Sequence, residues 1–461
     1  MFQDNYKKFI ADAEQNISDL KQLSVLSQNV DRYQNNIKAN KEVFLNFELA
    51  RKRAAHLKNK AFNEFEHYLT EFEKKFRNNG GKVIWAENSQ QVILEIVQII
   101  EKQEINTINY TKSLISEEIN ISKSLNDFTP VATDMSDFIL QKLSSEKKLS
   151  DLTLMRTSEA EISEMFHKYF QLRKNATLEE ITASIRDTLR NSILQSKISV
   201  TSADFLVSDC GAVAYSENEG DITLAYSIPK VQIVLAGIEK IIPSLNDLEL
   251  LWALKAHSKE GMLANTYQSV VFGPKKETET DGCNEMILIL VDNNRTELLS
   301  HKPQRLALSC IECGACLQVC PVFKKAGSSA YNSAFQGPIG AVSSPFLLDF
   351  EQYQHLSFAS TLCGKCSEVC PVHIPIHELL LYNRKEVVSR KSKPLAERFA
   401  YGLIRKALMS RKFVVTKNVK VKNLALKLMA GNAWLKQREF PEIAEKSFNQ
   451  LWKEQHPEHE K

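Results

Sequence analysis

The sequence predicts an α/β protein with a helical N-terminal extension and a C-terminal α-helical module that is rich in cysteine. Three observations support this prediction. Apolar residues recur at helical spacing through the first 79 residues, strand-like and helix-like segments alternate afterwards, and seven of the nine cysteines lie between residues 310 and 370. We therefore divide the chain into a helical extension (1–79), an α/β domain (80–298), a cysteine module (299–383) and a basic helical tail (384–461).

The length and composition of the chain limit the kinds of protein that it can be. A chain of 461 residues is long enough for two or three domains. The net charge of +3 is too small to indicate a nucleic-acid partner. No apolar run reaches the roughly 18 residues that cross a bilayer, and the N-terminus lacks the apolar core of a signal peptide. We therefore expect a cytoplasmic protein, in which clustered cysteines more often bind metal than form disulfides.

The N-terminal extension has the pattern of amphipathic helices. Phe62, Phe65, Phe72 and Phe76 recur at helical spacing within a highly charged stretch. Gly80-Gly81 follows, and glycine readily adopts the left-handed conformation that ends a helix. The pattern predicts a helix that ends just before residue 80.

Strands and helices alternate in the next domain. Residues 82–86 and 107–110 are typical of strands, and Ser89 is a plausible N-cap for the amphipathic helix between them. A further helix is predicted around residues 135–143. The near-continuous apolar run from Met286 to Val291 predicts a strand covered on both faces. Turn signals separate four other predicted strands, at residues 198–207, 212–215, 222–227 and 231–235.

Two cysteine runs carry the clearest chemical signal. The first has the spacing C-x2-C-x2-C-x3-C-P and ends at Cys320-Pro321, and the second has the spacing C-x2-C-x3-C-P and ends at Cys370-Pro371. The first spacing is typical of bacterial two-cluster ferredoxins, in which the last cysteine of a run binds the other cluster. The runs therefore predict two iron–sulfur clusters of the four-iron type and a role in electron transfer. The expected ligands are Cys310, Cys313, Cys316 and Cys370 for the first cluster and Cys320, Cys363 and Cys366 for the second.

This assignment leaves the second cluster with three cysteines. It has either a non-cysteine or exogenous fourth ligand or only three irons, and His373 and His377 lie close by in sequence. Two C-x2-C pairs could also bind zinc. Zinc does not explain the C-x3-C-P endings or the seventh cysteine, so we favour iron–sulfur clusters. Cys210 and Cys283 are isolated and are expected to be small core residues.

Several segments around the cysteine runs resemble the lactate utilization protein B family. The resemblance covers nearly the whole chain, from Gly80 to Trp452, and is carried by Gly237–Lys240, Val291–Arg295, Gly337–Val342 and Leu362–Val372. It implies a LUD domain, similar to the ribose-5-phosphate isomerase and CoA-transferase group, together with two four-iron clusters.

The same resemblance implies a function. The family belongs to a three-component system that oxidises L-lactate to pyruvate, and its expected partners are a glycolate-oxidase-like cysteine-rich protein and a smaller LUD-domain protein. This sequence shows no flavin motif and no glycine-rich dinucleotide fingerprint. We therefore expect an electron relay within an oxidoreductase rather than an independent dehydrogenase. The alternative is a scaffold stapled by its clusters, or a redox-sensing regulator without turnover.

The resemblance also nominates residues of the α/β domain. Glu239 and Lys240 fit the family's Gly-Ile-Glu-Lys segment, and a lysine beside a glutamate could hold a substrate carboxylate and pass a proton. The alternative is a structural ion pair at the end of a strand. The family's Pro-x-Val-His becomes Pro229-Lys-Val-Gln232 here, so the pocket is altered while all seven cysteines remain. Further matching positions are Lys112, Ser113, Glu117, Glu118, Thr133 and Asp134.

The tail is basic and helical in pattern. Between residues 384 and 430 many lysines and arginines are opposed by only Glu386 and Glu397. Such a tail could bind an acidic surface, a partner or lipid. The alternative is a helical face that covers the cysteine module.

Overall fold

The computed structural model describes residues 2–40, 44–103, 107–136, 139, 158–390, 395–410, 419–424, 427 and 442–456. The chain forms two compact units, one up to Val387 and the other from Val388 onward. The predicted helix around residues 135–143 lies largely outside the described residues, as does part of the predicted basic tail.

Four helices form the N-terminal region, which confirms the predicted helical extension. The side chain of Asp19 caps the second helix by accepting from the backbone N–H of Gln22 at 3.0 Å, and Asn46 caps the third. The fourth helix ends at Asn78, and Gly80, just after its C-cap, has a φ of 93° in the left-handed region. The helices are α1 (Phe2–Ser18), α2 (Leu20–Ala39), α3 (Phe47–Asn63) and α4 (Phe65–Asn78).

A six-stranded parallel sheet forms the centre of the α/β domain, in the order β1-β10-β7-β4-β2-β3. Alternate residues of β10 enter the apolar cores on its two faces, with Ile287 and Ile289 on one side and Leu288 and Leu290 on the other. The prediction of a strand covered on both faces is therefore confirmed. The strands are β1 (Lys82–Ala86), β2 (Ile108–Tyr110), β3 (Pro130–Ala132), β4 (Ile198–Ser202), β7 (Val231–Gly237) and β10 (Glu285–Val291).

A second sheet has four strands in the order β8-β5-β6-β9. The single strand predicted at residues 198–207 is divided between the two sheets. Ala203 still donates its N–H to Leu235 of the parallel sheet, whereas Asp204 donates to Ala214 of the second sheet. The strands are β5 (Phe205–Val207), β6 (Ala212–Glu217), β8 (Ile241–Ile242) and β9 (Tyr267–Val271), the last of which the sequence pattern did not reveal.

The strand predicted at residues 222–227 is wrong, because this segment belongs to a helix, Asp221–Ser227. The carboxylate of Glu217 accepts the backbone N–H groups of Ile222 and Thr223, both at 2.7 Å, and so satisfies donors at the start of the helix. A contact made from the preceding strand therefore overrides the local β preference.

Further helices surround the two sheets. Asn88, rather than the predicted Ser89, caps α5 by accepting from the N–H of Gln91 at 3.0 Å. The helices are α5 (Ser89–Lys102), α6 (Leu114–Glu118), α7 (Ile121–Ser124), α8 (Glu159–Phe170), α9 (Leu178–Gln195), α10 (Asp221–Ser227), α11 (Asp247–Glu260) and α12 (Arg295–Ser300), with 3-10 turns at Asn126–Phe128 and Ile238–Lys240.

The cysteine module is helical and packs against the N-terminal helices. The Phe9 ring of α1 lies 5.5 Å from the Tyr331 ring, and Asn16 donates to the carbonyl of Ala326 at 2.6 Å. The module contains α13 (Ala315–Val319), α14 (Pro321–Tyr331), α15 (Gly337–Leu347), α16 (Phe350–Tyr353), α17 (Lys365–Glu368) and α18 (Ile376–Ser389), with 3-10 turns at Gln304–Ser309 and Gln354–Phe358.

The C-terminal unit contains α19 (Leu395–Met409) and α20 (Phe448–Gln455). Ser447 caps α20 by accepting from the N–H of Gln450, whose own side chain accepts from the N–H of Ser447. Within the described ranges, no helix is long and apolar enough to cross a membrane.

Candidate metal centre

The two cysteine runs adopt the same local conformation. In each run a residue with a left-handed backbone precedes a cysteine, and a left-handed glycine follows it. Glu312 and Gly314 have φ values of 59° and 70° in the first run, and Leu362 and Gly364 have 55° and 79° in the second. Each glycine is also the N-cap of a short helix. Left-handed backbone is uncommon outside glycine, so both loops hold an unusual turn around their thiols.

The structure brings Cys310, Cys313, Cys316 and Cys370 together as a first sulfur group. Burial raises the pKa of the Cys310 thiol to about 12, and the neighbouring Glu312 and Cys370 add to this effect. Burial also raises the pKa values of Cys313 and Cys316, and each of these thiols interacts with both Cys310 and Cys370. The last cysteine of the second run thus joins three cysteines of the first run.

The structure brings Cys320, Cys363 and Cys366 together as a second sulfur group. Burial raises the pKa of Cys366 to about 11, and the nearby Cys320 and Cys363 contribute. Cys363 differs because its residue is exposed, and the backbone N–H of Lys365 lowers its thiol pKa. The second group is therefore the more open of the two, and it also combines cysteines of both runs.

The residues present fit iron–sulfur clusters. Several buried thiols sit side by side, and ionising them without a cation would be costly. Iron supplies that positive charge, and thiolates are the soft ligands that such clusters select. Backbone N–H groups of Glu312, Phe323 and Ile374 point at the sulfurs of Cys310, Cys320 and Cys370, each at 3.4 Å. Hydrogen bonds of this kind tune the potential of a cluster.

Within the part of the chain that the structure describes, no three His, Cys, Asp or Glu side chains converge closely enough to hold one ion. A multinuclear cluster separates its ligands with an inorganic core, whereas zinc draws four ligands to about 2.3 Å. The isolated Cys283 is buried in the apolar core, and Cys210 is half-buried.

Glu239 and Lys240 lie in a 3-10 turn directly after β7, where both are buried in ion pairs. Lys240 pairs with Glu312, which stands between Cys310 and Cys313 in the first run. Glu239 accepts from the Arg295 guanidinium at 2.6 Å. The two residues nominated from the sequence therefore connect the α/β domain with the loop of the first sulfur group.

Arg295 and Lys58 complete this buried charge network, and the sequence reasoning missed both. Arg295 forms a two-pronged ion pair with Glu118, at 2.9 and 2.7 Å, and both side chains are at most 2% exposed. Lys58, on α3, donates to the backbone carbonyl of Glu239 at 2.7 Å, and burial lowers its pKa to about 8. Arg295 belongs to a segment that carried the family resemblance, which was the available signal, whereas nothing distinguishes Lys58 in its highly charged helix.

Other nominated residues lie just beyond the carboxyl ends of the parallel strands. Lys112 follows β2 and lies 3.6 Å from Glu117, while Ser113 contacts the hydroxyl of Ser202 at 2.6 Å. Thr133 follows β3 and donates to Asp221 at 3.0 Å. Burial, with Glu217 nearby, raises the pKa of Asp221 to about 8. All six strands are parallel, so these residues and Glu239 and Arg295 lie beyond the same, carboxyl-terminal ends of the strands. Open α/β sheets bind ligands at these carboxyl ends.

Comparison with known protein families defines the class of this chain. The model of the LUD domain matches residues 69–291, and the model of the 4Fe-4S dicluster domain matches residues 306–374. The chain is thus an iron–sulfur protein with a LUD domain, as the resemblance implied.

Curated relatives identify the particular family. Lactate utilization protein B of Bacillus velezensis is 33% identical over 360 residues, covering 77% of this chain and 75% of the relative. The protein of the same name from Bacillus cytotoxicus is 30% identical over 445 residues, covering 94% and 93%. The chain belongs to the lactate utilization protein B family. A solved DUF162 family protein from Deinococcus radiodurans covers 49% of this chain and 97% of its own, but a TM-score of 0.28 at 11% identity adds nothing to the fold.

These comparisons confirm the predicted family and fold class. They do not address the individual ligands, the catalytic roles of Glu239 and Lys240, or the domain boundaries, which stay predictions.

Proposed function

We propose that this chain is the iron–sulfur electron-transfer component of a complex that oxidises L-lactate, or a related 2-hydroxy acid, to pyruvate. The observation that carries the proposal is the gathering of seven cysteines into two groups, each of which combines both runs. The names of the curated relatives, lactate utilization protein B, supply the substrate class. When bound, iron–sulfur clusters supply one-electron transfer.

The proposal assigns a four-iron cluster to each sulfur group. Cys310, Cys313, Cys316 and Cys370 hold the first, and Cys320, Cys363 and Cys366 hold the second. The shared use of both runs favours two neighbouring sites, as a relay within one chain requires.

The surroundings of the two groups suggest different roles. The first group adjoins the buried Lys240–Glu312 pair and the α/β domain. The second group includes the exposed Cys363. Because electron exchange between proteins requires close approach, we assign the contact with a partner to the second group.

In this proposal Glu239 and Lys240 form structural ion pairs and do not react with the substrate. Lys240 fastens the loop of the first group through Glu312, and Glu239 neutralises part of the buried Arg295 charge. Oxidation of the 2-hydroxy acid then belongs to a partner. The expected partners are the glycolate-oxidase-like cysteine-rich protein and the smaller LUD-domain protein of the family system.

A second candidate function is a scaffold or redox sensor whose clusters staple the fold. One contact favours it: Arg51 of α3 donates to the backbone carbonyls of Cys370, at 2.8 and 3.0 Å, and of Glu368, at 2.6 Å. Loss of a cluster would therefore disturb the packing of the N-terminal helices as well as the cysteine module.

Reduction of the purified protein separates the two functions. The full chain, prepared without air, is mixed with the two partner proteins and L-lactate, and its visible absorption and electron paramagnetic resonance are followed. A relay is reduced by lactate only when the partners are present, and it is reoxidised by an added acceptor. A structural staple is not reduced by lactate, with or without the partners, and it unfolds when iron is removed. Cys313→Ala is the control that should lose lactate-dependent reduction.

A further inference from the structure

The two cysteine runs correspond residue by residue with a constant shift of 50 positions. Cys313, Cys316 and Cys320 of the first run match Cys363, Cys366 and Cys370 of the second. Cys310 then matches Ser360. The residue that the second run lacks for a full repeat is therefore replaced by a hydroxyl.

The structure gives Ser360 the same local geometry as Cys310. The backbone N–H of Glu312, two residues after Cys310, donates to the Cys310 sulfur at 3.4 Å. The backbone N–H of Leu362, two residues after Ser360, donates to the Ser360 hydroxyl oxygen at 3.1 Å. Both donor residues have left-handed backbone. A 3-10 turn also ends one residue before Cys310, at Ser309, and two residues before Ser360, at Phe358.

The backbone at Ser360 is held from α18. The guanidinium of Arg384 donates to the carbonyl of Ser360 at 3.1 Å and to that of Ser357 at 2.8 Å. These bonds anchor the residue at the start of the second loop, beside Cys363 and Cys366 in the chain. Its position is therefore built into the fold.

The histidines considered from the sequence contact other groups. The Nε2 atom of His373 lies 3.0 Å from the carboxylate of Glu48. The Nδ1 atom of His377 lies 2.7 Å from the hydroxyl of Ser367. One ring nitrogen of each histidine is thus engaged elsewhere, and neither histidine stands at the position that matches Cys310, so Ser360 is the best-placed candidate.

We propose that the Ser360 hydroxyl oxygen is the fourth protein ligand of the second cluster. This inference rests on the proposed function, because it requires a cluster in the second sulfur group. On binding iron, the oxygen would release its proton to solvent while still accepting the Leu362 N–H. Oxygen is a harder ligand than thiolate. The iron at Ser360 would therefore be held less firmly than the other irons of the two clusters.

The test compares Ser360→Ala and Ser360→Cys with the wild type. Ser357→Ala is the matched control. It also removes a hydroxyl, from the 3-10 turn before Ser360, but this hydroxyl donates to the Ala341 carbonyl. Full-length proteins are prepared without air, treated with ferricyanide, and examined by iron analysis and electron paramagnetic resonance. The expected result for Ser360→Ala is loss of one iron from a total of about eight, with a three-iron signal about tenfold stronger than in the wild type or the control. Ser360→Cys should keep its iron and shift the potential of the second cluster only.

Two results would overturn the inference. One is a Ser360→Ala protein whose iron content and spectra equal those of the wild type. The other is a Ser360→Cys protein with an unchanged second cluster. Cys366→Ala separates this failure from that of the proposed function: if Cys366→Ala loses the second cluster while both Ser360 variants behave like the wild type, only the role of Ser360 is refuted. If Cys366→Ala retains both clusters, the underlying ligand assignment is refuted.

Discussion

The two sulfur groups are built from nearly identical loops but lie in different surroundings. In the first group Cys313, Cys316 and Cys370 are all buried, and a buried ion pair from the α/β domain reaches the loop. In the second group Cys363 is exposed, and a serine stands where the first run has its leading cysteine. One loop conformation has thus been used twice, and the packing around it decides which copy is enclosed.

This difference shows what the rest of the chain contributes to the cysteine module. The buried cysteines of both groups belong to the largest apolar core, together with residues of the N-terminal helices and the α/β domain. The first group has charged contacts in addition. Lys240 and Arg51 contact it from those two regions. In the second group Cys363 is exposed, so this group is the less enclosed of the two. Damage to the first group should therefore spread through the fold, and damage to the second group should stay local.

The largest expected effect comes from removing one ligand of each group. Cys313→Ala and Cys363→Ala should each lose about half of the iron, because each disables one of two four-iron clusters. Cys313→Ala should also lower the melting temperature more than Cys363→Ala does, because Arg51 and Lys240 connect the first group to the N-terminal helices and the α/β domain. Iron analysis and thermal unfolding of both variants test this. Equal melting temperatures for the two variants would contradict the comparison.

The next effect concerns the charge network beside the first group. Arg295→Met leaves Glu118 and Glu239 buried without their cation, which should cost about 3–5 kcal/mol of stability. Urea unfolding measures this cost. The matched control is Arg77→Met, which removes an exposed arginine paired with Glu73 and should cost less than about 1 kcal/mol. Similar losses of unfolding free energy in the two variants would show that the charge network does not stabilise the surroundings of the first sulfur group.

A third prediction uses the acidic site around Asp221, which belongs to neither sulfur group. The pKa of Asp221 is raised from 3.8 to about 8, so the folded protein keeps a proton that the unfolded chain releases between these values. The free energy of unfolding should therefore fall as the pH rises from about 4 to about 8. Asp221→Asn removes this dependence and should exceed the wild type in stability at pH 8 by about 2 kcal/mol.

Urea unfolding at pH 5 and pH 8 checks the Asp221 prediction, and the resonance signals of both clusters should stay unchanged. A variant whose advantage is the same at both pH values would show that Asp221 does not titrate in this range.

The smallest effect is kinetic. An iron chelator should remove iron from the second group about tenfold faster than from the first, because Cys363 is exposed and oxygen is a weaker ligand for iron than thiolate. Resonance spectra recorded during chelation distinguish the two losses. Loss of both signals at one rate would remove the distinction between an enclosed and an open group.

Local sequence patterns predict the parts of this protein that local chemistry determines. The cysteine spacing indicates how the seven thiols are grouped, because the loops are short and the Cys-Pro ending marks the residue that crosses over. The apolar run Met286–Val291 predicts an inner strand for a similar reason, since its apolar residues enter the cores on both faces.

Features that depend on distant contacts could not be predicted. The segment after Gly220 reads as a strand, but Glu217 satisfies its first N–H groups and makes it a helix. Nothing in the sequence distinguishes Lys58 from the other lysines of its helix, because its contact with Glu239 forms only when α3 packs beside that residue. Ser360, in contrast, could have been found by aligning the two runs, because the match to Cys310 is visible in the sequence alone.

Each cluster is proposed to take one ligand from the other cysteine run. The resonance spectrum of reduced Cys370→Ala, compared with those of Cys313→Ala and Cys363→Ala, tests this exchange of ligands. Cys370→Ala should lose the signal that Cys313→Ala loses and retain the signal that Cys363→Ala loses, although Cys370 lies in the same run as Cys363. The opposite pattern, in which Cys370→Ala resembles Cys363→Ala, would contradict it.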